Sequence, residues 1–572
     1  MSACAVISSC LRLACPLPAR RQRRHLPALS VVDPALVERW LHYSALVVVQ
    51  DDVRTAELVA CLSLATDLAM GLPREHGLES TIIGARLARS LGVDDDTASQ
   101  AFYGSLLYYI GCTADAEISA ELFPWGTMLE NFNPAIYGSP GEVIRGIVRS
   151  IPDPEADRLT RALQIARTLP RAMRGHPAHM TAMCEVAQML GERVGLPASI
   201  YGLFGQLTER WDGKGGPNGL KGDAIPLALR IVSVARDVSM QKWVGGLEYA
   251  TDVIRRRAGG GHDPYVAEQF CAHADELVPS DEESLWDVVL SCEPGDPLTL
   301  SGPAIDEALA AMGDFADLAA PCLTGHSDGV ARLTHEAAKR MGFNAAAQRD
   351  VTRAARVHDL GRVAVSPAVW EKSGTLTTDE REQVRLHAYH TERLLASSPF
   401  LARLAETASA HHERCDGTGY HRGVGAEALS PAARLLGAAD AYHTMTEPRP
   451  HRPALSPPDA AAALGAHSRD GRLDAEAVRA VLDASGQATP RRVYPAGLTD
   501  REVEVLGLLA HGFQIKQIGR RLGISTKTAS RHVQNIYPKI GVSTRAAAAV
   551  FAMQHGLAGW GERPIAGERL DS

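Results

Sequence analysis

Histidine and aspartate residues concentrate between positions 326 and 440, at spacings that suit a metal site. His358 and Asp359 are adjacent, so one ion can take the imidazole while the carboxylate bridges to a second ion. The full set of predicted ligands is His326, His358, Asp359, His387, His411, His412 and Asp440. Imidazole and carboxylate ligands suit iron, manganese or zinc better than magnesium or calcium. Two such divalent transition-metal ions, about 3.5–4 Å apart, would activate water and clamp a phosphate for in-line displacement.

The motifs that carry these residues resemble those of the HD-GYP branch of the HD-domain phosphohydrolases. They are TGHSDGVARL, HDLGR, HHERCDGTGY and LLGAADAYH, in that order within residues 305–485. The enzymes of that branch open cyclic di-GMP, so the resemblance implies a metal-dependent phosphohydrolase with the ligands given above. It also implies catalytic roles for His358, Asp359 and Arg362, and substrate contacts from Arg362, Tyr420, Arg449 and Arg452.

Four positions depart from the pattern of the branch. The usual Lys after the HD motif is Arg362, the Pro of the GYP triplet is His421, and the Asp three residues after the last ligand is His443. A further family ligand, a Glu, is replaced by Cys322. We therefore expect two metal ions rather than three. We also expect slow or absent hydrolysis of cyclic di-GMP, because Arg is a planar fork and not a substitute for a compact ammonium.

The N-terminal half repeats the same sequence pattern. Residues 209–236 align without gaps to residues 413–440, and 10 of these 28 positions are identical. His76 lies 250 residues before His326. A repeat of this kind predicts two copies of one fold, which we call the N-terminal copy (53–258) and the C-terminal copy (305–485).

The N-terminal copy has lost most of the predicted ligands. The residues at the aligned positions of His358, Asp359, His411, His412 and Asp440 are Tyr108, Tyr109, Leu207, Thr208 and Arg236. An arginine would repel a cation, so we expect this copy to be free of metal and to have a structural or regulatory role. It also contains an insertion, residues 123–169, to which the sequence assigns no chemistry.

Residues 498–556 resemble a LuxR-type helix-turn-helix over their whole length. Thr499 and Glu502 have the spacing of a capping box at the start of a helix, and Gly523 is placed for the tight turn between two short amphipathic helices. Ser525 is the expected cap of the recognition helix, and Pro538 near its end departs from the usual pattern. The segment carries eight Lys or Arg and three Asp or Glu, a net charge of +5, as expected of a nucleic-acid module.

The second short helix of this motif enters the major groove of duplex DNA. Ser530, Arg531 and Gln534 match the base-facing positions of the family, and lysines are better placed for phosphates. The full set of predicted DNA contacts is Lys516, Thr526, Lys527, Ser530, Arg531, Gln534 and Lys539. A homodimer is expected, because one short helix reads few base pairs.

Composition agrees with a cytoplasmic, helical protein. Aromatic residues are only 5% of the 572, while Ala and Leu are abundant, which favours helices. The ten cysteines form no CxxC pair, as in a reduced compartment, and the sequence has no apolar run long enough for a membrane span. We therefore predict an all-α chain of two HD-type domains in tandem followed by a four-helix LuxR-type helix-turn-helix. The predicted segments are an extension (1–52), the degenerate HD-GYP-like domain (53–258), a helical linker (259–304), the metal-binding HD-GYP-like domain (305–485), a linker (486–496), the helix-turn-helix (497–556) and a tail (557–572).

Two functions remain open from the sequence. In the first, the chain is a transcriptional regulator whose C-terminal copy hydrolyses a phosphodiester, with a cyclic dinucleotide as one candidate substrate. In the second, this copy binds metal and a nucleotide without turnover and acts as a sensor for the helix-turn-helix.

Overall fold

The structure is a computed structural model, and it describes residues 52–115, 123, 128–280, 282–486 and 494–558. The predicted extension, the predicted tail and most of the linker at 486–496 lie outside these residues. Helices make up most of the described chain, as the sequence predicts. The described strands are two short ones, β1 (Asp52–Arg54) and β2 (Thr299–Ser301), which pair antiparallel with Val53 opposite Leu300. Within the described residues, none of the helices combines the length and the apolar character that crossing a membrane requires.

The described residues of the N-terminal copy contain eight α-helices. They are α1 (Thr55–Met70), α2 (His76–Ser90), α3 (Asp95–Leu106), α4 (Met128–Asn131), α5 (Pro140–Ser150), α6 (Arg158–Arg193), α7 (Ala198–Tyr201) and α8 (Leu227–Arg257). Helix α2 packs against α3 and α8. Helix α8 is interrupted at Gly246, whose φ of 84° is not helical.

The predicted linker at residues 259–304 contains helices, and they pack on the N-terminal copy. The helices are α9 (Pro264–Ala272), α10 (Ala274–Leu277) and α11 (Leu285–Cys292). Helix α9 contacts α8, and α11 contacts α2. Because β2 pairs with β1, this segment also returns the chain to the start of the N-terminal copy.

The C-terminal copy contains nine helices in its described residues. They are α12 (Pro303–Asp317), α13 (His326–Arg340), α14 (Ala345–Val357), α15 (Pro367–Trp370), α16 (Thr378–Leu395), α17 (Pro399–Ser409), α18 (Pro431–Thr446), α19 (Pro457–Arg469) and α20 (Ala475–Ser485). Helix α13 packs against α14 and α18, as α2 packs against α3 and α8 in the other copy. The ends of these helices are fixed by side chains: Thr377 and Glu380 form a capping box on α16, and Ser430 caps α18.

Matching hydrogen bonds support the internal repeat. Asp67 accepts from the backbone N–H of Gly77 at 3.1 Å, and Asp317, 250 residues later, accepts from that of Ser327 at 2.9 Å. Burial raises the pKa of both carboxyls to about 8. Glu209 likewise accepts from the backbone of residues 218 and 220, as Glu413 does from residues 422 and 424. The two copies therefore share local structure as well as helix order.

The helix-turn-helix is present with the predicted caps. Its helices are α21 (Asp500–Ala510), α22 (Ile515–Arg521), α23 (Thr526–Ile540) and α24 (Arg545–Gln554). The capping box of Thr499 and Glu502 is formed, and Ser525 accepts from the backbone of Thr528. Helix α23 continues through Pro538 to Ile540. We call residues 494–558 the helix-turn-helix module; its apolar residues join one continuous hydrophobic cluster with residues of both copies.

Candidate metal centre and nucleic-acid interface

The seven predicted metal ligands come together in the C-terminal copy. His326 begins α13, His358 and Asp359 directly follow α14, and His387 lies within α16. His411 and His412 follow α17, and Asp440 lies within α18. Three helix termini and two helix faces thus converge on one point. All these residues are fully buried except His412, whose side chain is 18% exposed.

The carboxylate of Asp359 lies between two groups of imidazoles. Its Oδ2 is 3.3 Å from Nε2 of His326 and 2.9 Å from Nε2 of His358. Its Oδ1 is 3.3 Å from Nε2 of His387 and 3.3 Å from Nε2 of His411. One oxygen therefore faces each group, which is the arrangement that a carboxylate bridging two ions requires. The prediction that Asp359 is placed as a bridge agrees with this geometry.

Asp440 and His412 complete the two groups. Oδ1 of Asp440 is 3.3 Å from Nε2 of His326 and 3.9 Å from Nε2 of His358. His412 is 3.9 Å from the other oxygen of Asp440, and its side chain has a ligand atom within reach of those of His387 and His411. The first group is thus His326, His358 and Asp440, and the second is His387, His411 and His412.

Backbone carbonyls orient three of the imidazoles. Nδ1 of His358 donates to the carbonyl of Ala355 at 2.8 Å, and Nδ1 of His411 donates to that of Ala408 at 2.7 Å. Nδ1 of His387 donates in the same way to Val384. Each bond places the proton on Nδ1 and leaves the lone pair of Nε2 directed into the cluster. The helix ends therefore preset both the ring orientation and the tautomer.

His326 is oriented by a residue that the sequence analysis missed. Its Nδ1 pairs with Oε2 of Glu447 at 2.8 Å, and Glu447 is only 2% exposed. The one local signal for Glu447 is its place directly after the helix that carries Asp440 and His443, where it is the C-cap residue of α18. A carboxylate behind a metal-bound histidine fixes the ring and raises its basicity.

The residues present fit a pair of divalent transition-metal ions. Nε2 of His326, Nε2 of His358 and Oδ1 of Asp359 are buried and have no hydrogen-bond partner among the described residues, whereas Oδ2 of Asp359 has an ion-pair partner in Arg362. Such atoms are destabilising unless something satisfies them. Their mix of imidazole nitrogen and carboxylate oxygen suits iron, manganese or zinc. Although burial opposes it, Arg362 and His358 hold the pKa of Asp359 well below its usual range, so this carboxylate is ionised.

Arg362 and Tyr420 border the ligand cluster. Nη2 of Arg362 is 2.7 Å from Oδ2 of Asp359, and its guanidinium lies over the ring of Trp370, 5.6 Å from the centroid. Nε and Nη1 of Arg362 are buried and have no hydrogen-bond partner among the described residues. The ring of Tyr420 lies 4.7 Å from that of His412. Both predicted substrate-side residues are therefore next to the ligands.

The other two predicted substrate residues contact the loop that follows α18. Arg449 reaches the cluster through Glu447, to which Nη2 donates at 2.7 Å, while its Nη1 donates to the carbonyl of Cys322 at 3.0 Å. The guanidinium of Arg452 donates to backbone carbonyls, among them those of Thr444 at 2.5 Å and Glu447 at 3.1 Å. The structure thus brings Arg449 close to the site and keeps Arg452 in the turn.

The recognition helix α23 is open on its predicted reading face. Thr526, Lys527, Arg531 and Gln534 are exposed, and Ser530 is half-buried. The buried residues of this helix are Ala529, Val533, Ile536 and Ile540. Lys516 is exposed on α22, whereas Lys539 pairs with Glu502 at 2.7 Å.

Comparison with protein families accounts for both parts of the chain. The sequence model of the family described as "HD domain" matches residues 151–259 and 311–477. The one described as "Bacterial regulatory proteins, luxR family" matches residues 496–552. The chain is an HD-domain protein of the HD-GYP-like kind with a C-terminal LuxR-type helix-turn-helix.

Curated relatives of this HD-domain chain are cyclic-dinucleotide phosphodiesterases. It is 29% identical over 446 residues to 3'3'-cGAMP-specific phosphodiesterase 3 of Vibrio cholerae, which covers 76% of this chain and 96% of the relative. It is 34% identical over 169 residues to the cyclic di-GMP phosphodiesterase response regulator RpfG of Xanthomonas campestris, which covers 28% of this chain and 44% of the relative. The crystal structure of a cyclic GMP-AMP-specific phosphodiesterase of V. cholerae matches with a TM-score of 0.52 at 25% identity, over 77% of this chain and 99% of that one.

The N-terminal HD copy has a different set of residues at the corresponding place. Nε of Arg236 donates to the hydroxyl of Tyr109 at 2.5 Å, and its Nη1 donates to the carbonyl of Asn133 at 3.0 Å. Its guanidinium carbon lies 5.7 Å from the ring centroid of Tyr108 and 5.4 Å from that of Tyr109. Burial and the nearby Arg236 lower the pKa of His76 to about 3, so this ring is neutral. Among the described residues, groups of potential ligands that are close enough to share an ion occur only in the C-terminal copy.

Residues of the insertion contact the side chains at this aligned position in the N-terminal copy. Tyr137, fully buried, exchanges a hydrogen bond with the hydroxyl of Tyr108 at 2.9 Å. The carbonyl of Pro134 accepts from Gln241 at 2.7 Å and from Arg257 at 2.8 Å. The insertion, to which the sequence assigned no chemistry, therefore packs against the residues aligned with the predicted metal site.

Proposed function

We propose that the C-terminal HD copy is a metal-dependent phosphodiesterase that opens a cyclic dinucleotide, and that the chain is a transcriptional regulator. The observation that carries this proposal is the position of Asp359 between two groups of imidazoles, with one oxygen toward each. His326, His358 and Asp440 would hold one ion, and His387, His411 and His412 the other. Bound ions of iron, manganese or zinc would activate water and neutralise charge on the phosphodiester.

The chain's own residues would then orient the substrate. Arg362 uses Nη2 for Asp359, while its Nε and Nη1 have no hydrogen-bond partner among the described residues, so the guanidinium still has N–H groups that could donate to a phosphate oxygen. Tyr420, beside His412, offers an aromatic face to a base or ribose. We assign Arg449 a supporting place behind the ligands, and Arg452 a role in holding the turn, because their donors already have partners.

Among cyclic dinucleotides we favour 3'3'-cGAMP over cyclic di-GMP. The chain matches one relative over 96% of that relative's length, and this relative is named for 3'3'-cGAMP. Arg362, His421 and His443 depart from the pattern of the cyclic di-GMP branch, and His421 is held by Glu392 at 2.8 Å. The test is turnover of both dinucleotides by the full chain, followed by chromatography, with Asp359→Asn as the inactive control. Cyclic di-GMP turnover at least equal to that of 3'3'-cGAMP would contradict the preference.

A second candidate is a sensor that binds metal and nucleotide without turnover. It is favoured by the ion pair of Arg362 with the bridging carboxylate, which places a fixed cation where the branch has a lysine. The same experiment separates the two functions. Calorimetric binding of the nucleotide to the metal-loaded chain, without any product, would establish the sensor and exclude the enzyme.

We further propose that the helix-turn-helix module binds duplex DNA as a homodimer. Lys527 and Arg531 are both exposed on α23, but their expected roles differ. Lys527→Ala should weaken binding to all sequences alike and flatten the slope of log K against log salt by about 1. Arg531→Ala should cost about 1–3 kcal/mol on the specific site only. Equal losses from both variants on specific and random DNA would show that Arg531 does not read bases.

A further inference from the structure

The helix-turn-helix module packs directly on the segment that carries the first metal ligand. This segment, Pro321–His326, leads into α13. The hydroxyl of Thr324 donates to the carbonyl of Ala510, the last residue of α21, at 3.2 Å. Ala510 and Thr324 are both buried, so the bond is shielded from water. The C-terminal copy and the helix-turn-helix module are therefore in contact at Thr324, two residues before His326.

Two glycines allow this close approach. Gly325 has a φ of 80°, and a Cβ there would lie 3.0 Å from Cβ of Ala558, at the end of the module. Gly512 has a φ of 87°, and a Cβ there would lie 2.8 Å from Cβ of Pro321. Both conformations favour glycine. Because a side chain at either position would be crowded by the opposite surface, both glycines permit the close contact between this segment and the module.

Glu447 connects the same segment to the metal ligands from the other side. It pairs with Nδ1 of His326 at 2.8 Å, with Nε2 of His443 at 3.2 Å and with Arg449 at 2.7 Å. Arg449 in turn donates to the carbonyl of Cys322 within the segment. His358, His387 and His411 are oriented by carbonyls of their own helices, whereas His326 depends on this long-range network.

We infer that docking of the helix-turn-helix module and metal binding by His326 are coupled, with Glu447 as the positioning residue that holds His326. Pro321–His326 is the shared element: one side contacts the module and the other carries the ligand. By reciprocity, an undocked module lowers metal affinity by the same factor by which metal loss loosens docking. This inference rests on the metal binding in the proposed function but not on turnover.

The first test disrupts docking away from the ligands. Ala558→Arg places a long side chain against Gly325, and Ala402→Arg, on the exposed face of α17, is the matched control. Co²⁺ is titrated into the full chain and followed by its visible absorption. We expect Ala558→Arg to weaken Co²⁺ binding by about 5–150-fold, and Ala402→Arg to bind as the wild type does. Wild-type affinity in folded Ala558→Arg would overturn the inference.

A second variant keeps the test decisive if Ala558→Arg does not fold. Glu185 of the N-terminal HD copy accepts from the backbone of Ser543 at 3.1 Å and from the hydroxyl of Thr544 at 2.7 Å. Glu185→Ala removes hydrogen bonds that hold the module and changes no residue of the C-terminal copy. We expect it to weaken Co²⁺ binding about 5-fold. Unchanged affinity would contradict the coupling.

Glu447 is tested by a conservative pair of substitutions. Glu447→Ala should weaken Co²⁺ binding by about 10–100-fold and alter the visible spectrum, because His326 can rotate. Glu447→Gln keeps an oxygen that accepts from Nδ1 and should restore most of the affinity and the spectrum. If both variants bind Co²⁺ as the wild type does, Glu447 is not the positioning residue. A chain that binds Co²⁺ and shows the coupling but opens no dinucleotide would refute the proposed enzyme and leave this inference standing.

Discussion

The two HD copies have the same helix order but satisfy their buried polar groups in different ways. In the C-terminal copy, atoms of His326, His358 and Asp359 meet without hydrogen-bond partners. In the N-terminal copy, Arg236 supplies a positive charge of its own and Tyr109 accepts from it. A buried cation from the chain thus lies at the position aligned with Asp440, a predicted metal ligand of the other copy. The comparison shows that one scaffold can support either arrangement, and that the choice depends on a few side chains.

The insertion makes the second difference between the copies. In the N-terminal copy, Tyr137 and the carbonyls of Asn133 and Pro134 close the site. In the C-terminal copy, only the short helix α15 and its flanking loop lie between the HD motif and α16. The loss of the ligand residues and the burial of Tyr137 against Tyr108 therefore occur in the same copy.

The largest expected effect comes from removing the bridging carboxylate. Asp359→Asn should reduce bound metal from about two ions to less than one per chain, because Asp359 faces both groups of imidazoles. Dinucleotide turnover should fall by at least about 100-fold, beyond the loss typical of an outer-shell partner. Metal is measured by mass spectrometry of the purified chain. Tyr109→Phe, at the aligned position, is the control and should retain all metal; equal loss in both variants would break the comparison.

The next largest effect is slower amide hydrogen exchange when metal binds, which we expect only in the C-terminal copy. At 100 times its dissociation constant, a metal stabilises the binding conformation by about 2.7 kcal/mol. Amide hydrogen exchange should therefore slow by about 100-fold in α13 and α18, which carry His326 and Asp440. Exchange in α2 and α8 should not change. Equal slowing in both pairs of helices would show that the N-terminal copy also responds to the metal.

The sequence predicted more of the metal cluster than of its surroundings. Each ligand belongs to a short motif with its own local geometry, so its position follows from adjacent residues such as the His358–Asp359 pair. Glu447 was missed because its role depends on a contact with His326 across 121 residues. The helix caps at Thr499 and Ser525 could be predicted because each cap bonds to a residue only three positions away. The cap at Thr377 has the same local form.

The insertion and the linker show where reasoning from local sequence ends. Residues 123–169 have no periodicity that identifies Tyr137 as a buried plug, because its partner Tyr108 lies 29 residues away. Residues 259–304 are predicted as a helical linker, and nothing in that prediction indicates that β2 pairs with β1, almost 250 residues earlier in the chain. Pairings at such separation leave little trace in composition.

A smaller effect is expected from the arginine that replaces Asp440 in the N-terminal copy. Arg236→Leu leaves the hydroxyl of Tyr109 and the carbonyl of Asn133 without their donor, which should destabilise the copy by about 1–3 kcal/mol. The free energy of unfolding is measured by urea denaturation, with hydrogen exchange in α8 as the readout. Arg255→Leu, an exposed change on the same helix, should stay within about 0.5 kcal/mol. Metal content should be unchanged in both; a gain of metal by Arg236→Leu would mean that the charge alone excludes ions.

The smallest effect tests the insertion as a plug. Tyr137→Phe keeps the ring and removes the hydroxyl that pairs with Tyr108 at 2.9 Å and with the carbonyl of Leu207 at 3.4 Å. Burial raises the pKa of Tyr137 well above its usual range, so the hydroxyl is a proton donor at any working pH. Its loss should destabilise the closed insertion by about 1 kcal/mol, seen as about fivefold faster hydrogen exchange in α5.

Tyr249→Phe, on an exposed tyrosine of α8, is the matched control and should leave exchange unchanged. Exchange in α5 that stays at the wild-type rate in Tyr137→Phe would mean that ring packing alone holds the insertion closed. The hydroxyl would then not account for the difference between the two copies.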